Sequence, residues 1–144
     1  MRPFFAFAAL SLAACSPNKA PRISVENGWA RATVAGQGSA AAYLTIVNRG
    51  GGEDRLVGVS VPRSNVAMLH SSSMDGGVMR MRDLSEGLII PAYGTVQLAP
   101  NGTHIMLNGL KSPLRAGEQF PATLRFAKAG AKDVVIKVED AAAR

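Results

Sequence analysis

From Ile23 to Val138 the apolar residues recur mostly at every second position, not at helical spacing. That period places successive side chains on opposite faces of an extended strand. Ile23-Ser24-Val25-Glu26 opens the pattern, which continues through Asn27 to Thr33 with the only tryptophan, Trp29. A turn follows over 35–39, and then Ala41 to Asn48 is a well-marked strand that the glycine cluster at 50–52 breaks. Arg55 to Val61 alternates again and stops at Pro62. Val66 to Ser72 and Val78 to Arg82 flank Asp75-Gly76-Gly77, a dipeptide and neighbour suited to a tight hairpin because glycine accepts positive φ. Further strands are predicted over Leu88 to Ile90, Thr95 to Leu98, Thr103 to Leu107, Phe120 to Phe126 and Val134 to Val138. Turns are expected at Pro91 to Gly94, Pro100 to Gly102 and 129–133, and no stretch holds a helical period over three turns. Short strands at regular spacing with a turn signal between most of them predict an all-β sandwich or barrel.

Composition alters this picture chiefly at the N-terminus. With 144 residues, 47% of them apolar, the chain can build one substantial core. Residues 1–14 stand apart from it. A positive start is followed by an apolar run from Phe4 to Leu12, too short for a stable membrane span. The run closes on Leu12-Ala13-Ala14-Cys15, which resembles a bacterial lipobox, and Cys15 is the only cysteine. The expected organisation is a lipoprotein signal peptide over 1–14, a lipidated Cys15 with a flexible tether over 15–21, a β-domain over 22–140 and a frayed tail over 141–144. Acylation makes the protein an extracytoplasmic one anchored to a membrane, the outer membrane slightly favoured by Ser16. It also leaves the folded domain without a thiol, which excludes disulfides, zinc-thiolate sites and cysteine nucleophiles.

The formal net charge is +6, and the basic residues are scattered among acids, as in Glu53-Asp54-Arg55 and Arg82-Asp83. No basic run interleaved with aromatics points to nucleic acid. No nucleophile motif points to an enzyme either, although Ser71, Ser72 and Asp75 lie close to His70.

The candidate chemistry is concentrated instead. Both histidines, His70 and His104, and every methionine after Met1 (Met68, Met74, Met79, Met81 and Met106) fall between positions 68 and 106. Imidazole and thioether suit a soft cuprous ion. In a strand His104 and Met106 project from one face, as do Met68 and His70, and as do Met79 and Met81. A hairpin end brought beside the turn at 100–102 would complete a two-nitrogen, two-sulfur set of neutral ligands, favouring Cu(I) over zinc. Met68 and Met79 are expected chiefly as core filler, with an auxiliary ligand role kept open, and Trp29 as a core residue.

His70, Met81 and the His104-x-Met106 pair, with LHSSSMDGGVMRMR (69–82) and HIMLNGLKSPLRAGEQFPATLRF (104–126) around them, resemble the PCuAC (DUF461) periplasmic copper chaperones. NGWARAT (27–33) and AAYLTIVN (41–48) extend the likeness over most of the β-domain. The resemblance implies a cupredoxin-like Greek-key β-sandwich of about eight or nine strands, expected to be monomeric. It implies one Cu(I) held by His70, Met81, His104 and Met106. The ion would be delivered toward the CuA centre of cytochrome c oxidase, to subunit II or a Sco-type thiol protein. The stretch from Arg82 to Thr103 is one residue longer than the family pattern, which leaves Met81 and Met79 both open as the ligand. A periplasmic copper-buffering lipoprotein would use the same site, and a metal-free structural lipoprotein is the bland alternative. A blue-copper electron carrier is excluded because it needs a cysteine thiolate.

Overall fold

The computed structural model describes residues 19–142. Cys15 and the proposed signal peptide lie outside them. Ten strands follow in order: β1 (Ile23–Arg31), β2 (Ser39–Asn48), β3 (Asp54–Ser60), β4 (Ser64–Asp75), β5 (Val78–Asp83), β6 (Leu88–Ile90), β7 (Thr95–Gln97), β8 (Thr103–Leu110), β9 (Gln119–Phe126) and β10 (Gly130–Glu139). The count is above the expected eight or nine; the two shortest, β6 and β7 at three residues each, are segments the sequence marked separately, and they pair with β3 and β2.

Hydrogen bonding links the strands in the order β5-β4-β8-β2-β1-β10-β9-β3-β6, with β7 added on β2. All pairs are antiparallel except β1 with β10. The sheet folds over on itself, because β3 meets β4 and β6 meets β2 although they are distant in that order. The alternation read from the sequence is what fills the space between the two halves. Ala40, Ala42, Leu44 and Ile46 of β2, Leu69 of β4, and Ile105 and Leu107 of β8 meet Leu56 of β3, Phe120, Leu124 and Phe126 of β9, and Ile136 of β10 in one cluster. Each buried aliphatic side chain of this kind contributes roughly 1.5–3 kcal/mol.

Two buried polar side chains tie loops to this core. Asn48 ends β2 with all its hydrogen-bonding capacity used. Its Oδ1 accepts from the Arg22 and Gly50 amides, and its Nδ2 donates to the Gly52 and Pro91 carbonyls. Asp54 accepts from the backbone amides of Arg55, Lys128 and Ala129, which fixes the β9–β10 turn against β3. That turn occupies Ala127 to Ala129, and β10 starts at Gly130 (φ 78°), earlier than Val134 as expected from its apolar run. Pairing with β9 extends the strand through residues that carry no hydrophobic signal.

Residues of the expected tether over 15–21 touch the domain directly. Lys19 and Ala20 lie with their backbones directly against Gly50 and Gly52, where any Cβ would collide with them. The glycine cluster is therefore a docking surface as well as a strand breaker.

Trp29 is buried, as expected of a core residue, but it packs outside the main hydrophobic cluster. The register between β1 and β2 shifts between Glu26 and Trp29, where Asn27 takes a positive φ of 54°. This bulge reverses the alternation, so Ile23 and Val25 point inward before it and Ala30 after it. Trp29 is turned to the outer face, where its ring centroid lies 4.5 Å from that of its cross-strand partner Tyr43.

Candidate metal centre

β4 and β8 are antiparallel neighbours, and their register sets His70 directly opposite His104 and Met68 directly opposite Met106. Directly paired residues share a sheet face, with Cβ atoms about 4.5–5.5 Å apart. Since Leu69 and Ile105 take the inward face of the same pair, both histidines and both methionines stand on the outer one. The imidazoles meet edge to face, with ring centroids 5.9 Å apart and planes at 86°.

The two rings are held differently. His104 is 5% exposed, and its Nδ1 lies 3.0 Å from the Gly102 carbonyl oxygen. A carbonyl only accepts, so Nδ1 carries the proton and Nε2 is left with a free lone pair. A backbone hydrogen bond on one ring nitrogen is how metal-binding histidines are commonly oriented. The turn at Pro100 to Gly102, with Asn101 at φ 65°, is what aims that carbonyl back at the ring. His70 is half-buried, and its Nδ1 is buried with no hydrogen-bond partner. A buried polar atom left in that state costs roughly 1–3 kcal/mol, which a bound ligand would relieve.

β5 brings in the third strand. Its register places Met81 opposite Ser72 and Met79 opposite Met74. Ser72 and Met74 share the face of His70, so Met81 and Met79 do as well. Met81 is thus diagonal to His70, at a backbone separation of about 7–8 Å that a methionine side chain can span. Met79 is one rung further out. Every histidine and every methionine among the described residues accordingly lies on one face of three adjacent strands. Arg80 and Arg82 take the opposite face of β5.

The expectation of core filler fails for both methionines it covered. Met79 is 55% exposed, and Met68 is half-buried opposite Met106. Core packing needed the odd positions of β4 and β8, and Leu69, Ile105 and Leu107 supply it. Ala41 of β2 pairs with Met106, and Tyr43, two residues along, carries the Trp29 ring, so small and aromatic groups border the histidine face on its inner side. Burial pushes the Tyr43 hydroxyl above its ordinary pKa, with the nearby Arg31 cation pulling the other way. Among the described residues no three His, Cys, Asp or Glu side chains cluster. What the face offers an ion is two imidazoles and several thioethers, a soft donor set.

These features define an all-β domain with a histidine–methionine face at one end of a folded-over sheet. The family model described as "Putative lipoprotein LpqE-like" matches residues 23–138, and the chain belongs to that family. A relative from Leifsonia xyli subsp. xyli, named "Putative lipoprotein Lxx21020", is 37% identical over 132 residues, covering 91% of this chain and 78% of the relative. The fold is cupredoxin-like, as in solved PCuAC domains. The copper-bound PCuAC domain from PmoF2 superposes with a TM-score of 0.68 at 28% identity, over 82% of this chain and 92% of that domain. The solution structure of CuI-DR1885 from Deinococcus radiodurans gives 0.61 at 30% identity, over 90% and 85%.

Proposed function

We propose that this protein is an extracytoplasmic copper chaperone that binds one Cu(I) through His70, His104, Met106 and Met81. The reading rests above all on one observation: His70 and His104 are cross-strand partners, each with a ring nitrogen free for a ligand, on a face furnished with thioethers. The copper-bound PmoF2 domain and CuI-DR1885 share the fold and support the choice of ion. The register supports Met81 over Met79 as the fourth ligand, since Met81 is the nearer to His70 by one rung.

Four neutral ligands leave the charge of Cu(I) uncompensated, so the ion is held by donor softness alone. Such ligands can be replaced one at a time by an acceptor's stronger thiolates, without unfolding the donor. Met81 is 53% exposed and is the natural first ligand to leave. Delivery toward the CuA centre of cytochrome oxidase is the destination that the PCuAC likeness suggests. Cys15 would carry the lipid that holds the domain at the membrane, and the "lipoprotein" names of the family and the Leifsonia relative support this.

Titration with Cu(I) against a competing chelator tests the site. The His104→Ala/Met106→Ala variant should lose at least about 100-fold in affinity, equivalent to about 2.7 kcal/mol. Unchanged affinity in that variant would remove the assignment.

A further inference from the structure

The β4–β5 hairpin outruns the rest of its sheet. β8 pairs with β4 only as far as Ser71 opposite Thr103, after which the Ser72 amide donates to the Gly102 carbonyl. Beyond that point β4 has β5 alone as a partner, and β5 is an edge strand exposed at every position. The loop is the two-residue Gly76-Gly77, with φ of 56° and 82°, so the ribbon is tight at its tip. A two-stranded ribbon without a packed face is only marginally stable, and an exposed apolar edge invites aggregation. Its outer face nevertheless carries Met74 at 64% exposure and Met79 at 55%, directly opposite each other. The other face carries Arg80, ion-paired with Asp75 at 3.4 Å. The methionines are therefore confined to the face that leads down to His70, and no packing accounts for them.

We propose that Met74 and Met79 form a second, weaker Cu(I) station at the hairpin tip, from which the ion passes by way of Met81 to the histidine pair. The proposal rests on the Cu(I)-binding reading of His70 and His104. Two thioethers on directly paired residues, each with three rotatable bonds, can close on one soft ion. The distance from Met74 to His70 is four residues along β4, about 13 Å. Met81 lies opposite Ser72, halfway between, so each step is about 7 Å. In the first step a bond to the Met81 sulfur forms as one to Met74 or Met79 breaks, and in the second, bonds to the His70 and His104 nitrogens form as the remaining tip Cu–S bond breaks. No electron moves, and no proton is released, because a thioether has none to lose. The station has only two sulfur donors and no nitrogen, so it fills after the inner site.

The test is a Cu(I) titration of the lipid-free protein, residues 16–144, under a graded chelator, comparing wild type, Met74→Leu/Met79→Leu and His104→Ala/Met106→Ala. Leucine keeps the apolar bulk of the ribbon, and circular dichroism checks that each variant is folded. Wild type should bind a tight equivalent and a weaker one. The Met74→Leu/Met79→Leu variant should lose the weaker equivalent while the tight one shifts by less than about tenfold. The His104→Ala/Met106→Ala variant should lose the tight equivalent and keep the weak one. A single equivalent in wild type, or a weak equivalent that survives the leucine substitutions, overturns the station while leaving the inner site standing. Absence of the tight equivalent from wild type would overturn the chaperone reading itself.

Discussion

β4 and β8 present two faces on one backbone, and the two obey different rules. Inward, Leu69, Ile105 and Leu107 are packed to near-zero exposure among aliphatic and aromatic neighbours. Outward, at positions alternating with these, stand Met68, His70, His104 and Met106, with one buried ring nitrogen unpartnered. The inward residues close the sandwich, and their loss costs stability. The outward ones contribute little to closure, and their chemistry is free to serve a ligand. A one-residue slip between the strands would exchange the two sets, so the core itself fixes the alignment of the proposed ligands His70, His104 and Met106.

The sharpest way to break this division is Leu107→Ala, which should cost about 2–5 kcal/mol in urea denaturation. Cu(I) affinity of the protein that remains folded should be unaltered. A mild loss of stability would mean that the inward face is less tightly packed than it looks. Asn48→Ala sharpens the picture, because Asn48 is polar yet on the inward side of β2. It should cost about 1–3 kcal/mol by stranding the backbone groups it serves, again without effect on copper. On the outward face the order reverses. Met81→Leu should weaken Cu(I) binding about tenfold, or about 1.4 kcal/mol, with no measurable change in melting temperature. Met79→Leu should leave the tight equivalent nearly unchanged, and the opposite ranking of the two would show that Met79 is the ligand. Smallest of all, Arg80→Ala removes an exposed ion pair worth less than about 1 kcal/mol, and should alter neither stability nor binding appreciably.

How far the sequence foretold all this depended on whether a feature was local. Alternation in β2, β4 and β8 is written into neighbouring residues, and so is the shared face of His104 and Met106. The Asp75-Gly76-Gly77 turn marks the β4–β5 hairpin, and the two-residue spacing of Met79 and Met81 puts them on a common face by itself. The pairing of His70 with His104 depends on how two strands far apart in sequence align, and only the assembled core decides that. The bulge at Asn27-Gly28 was invisible for a related reason. Gly28 sits where a Cβ would strike Ile136 Cδ1 and the Val135 carbonyl, both at 2.7 Å, and those atoms lie more than a hundred positions along the chain. Without the bulge Trp29 would have pointed inward, as its hydrophobicity suggested. Met68 and Met79 were misjudged because a methionine in a strand carries no mark of which face it will occupy.

The contact of Lys19 and Ala20 with the glycine cluster sets a leash length. Four Cα steps separate Cys15 from Lys19, at most about 15 Å of chain. With Cys15 acylated, the domain would ride within about 15 Å of the lipid it is attached to, restricted in how it can turn. β2 and β4 run in the same direction, since each is antiparallel to β8. The hairpin tip therefore points toward the end of the domain where Asn48 and the glycine cluster hold the leash. A membrane-embedded acceptor would meet the methionine ribbon first, and inserting a flexible segment after Pro17 should slow copper handover to such an acceptor on vesicles while leaving Cu(I) affinity in solution unchanged.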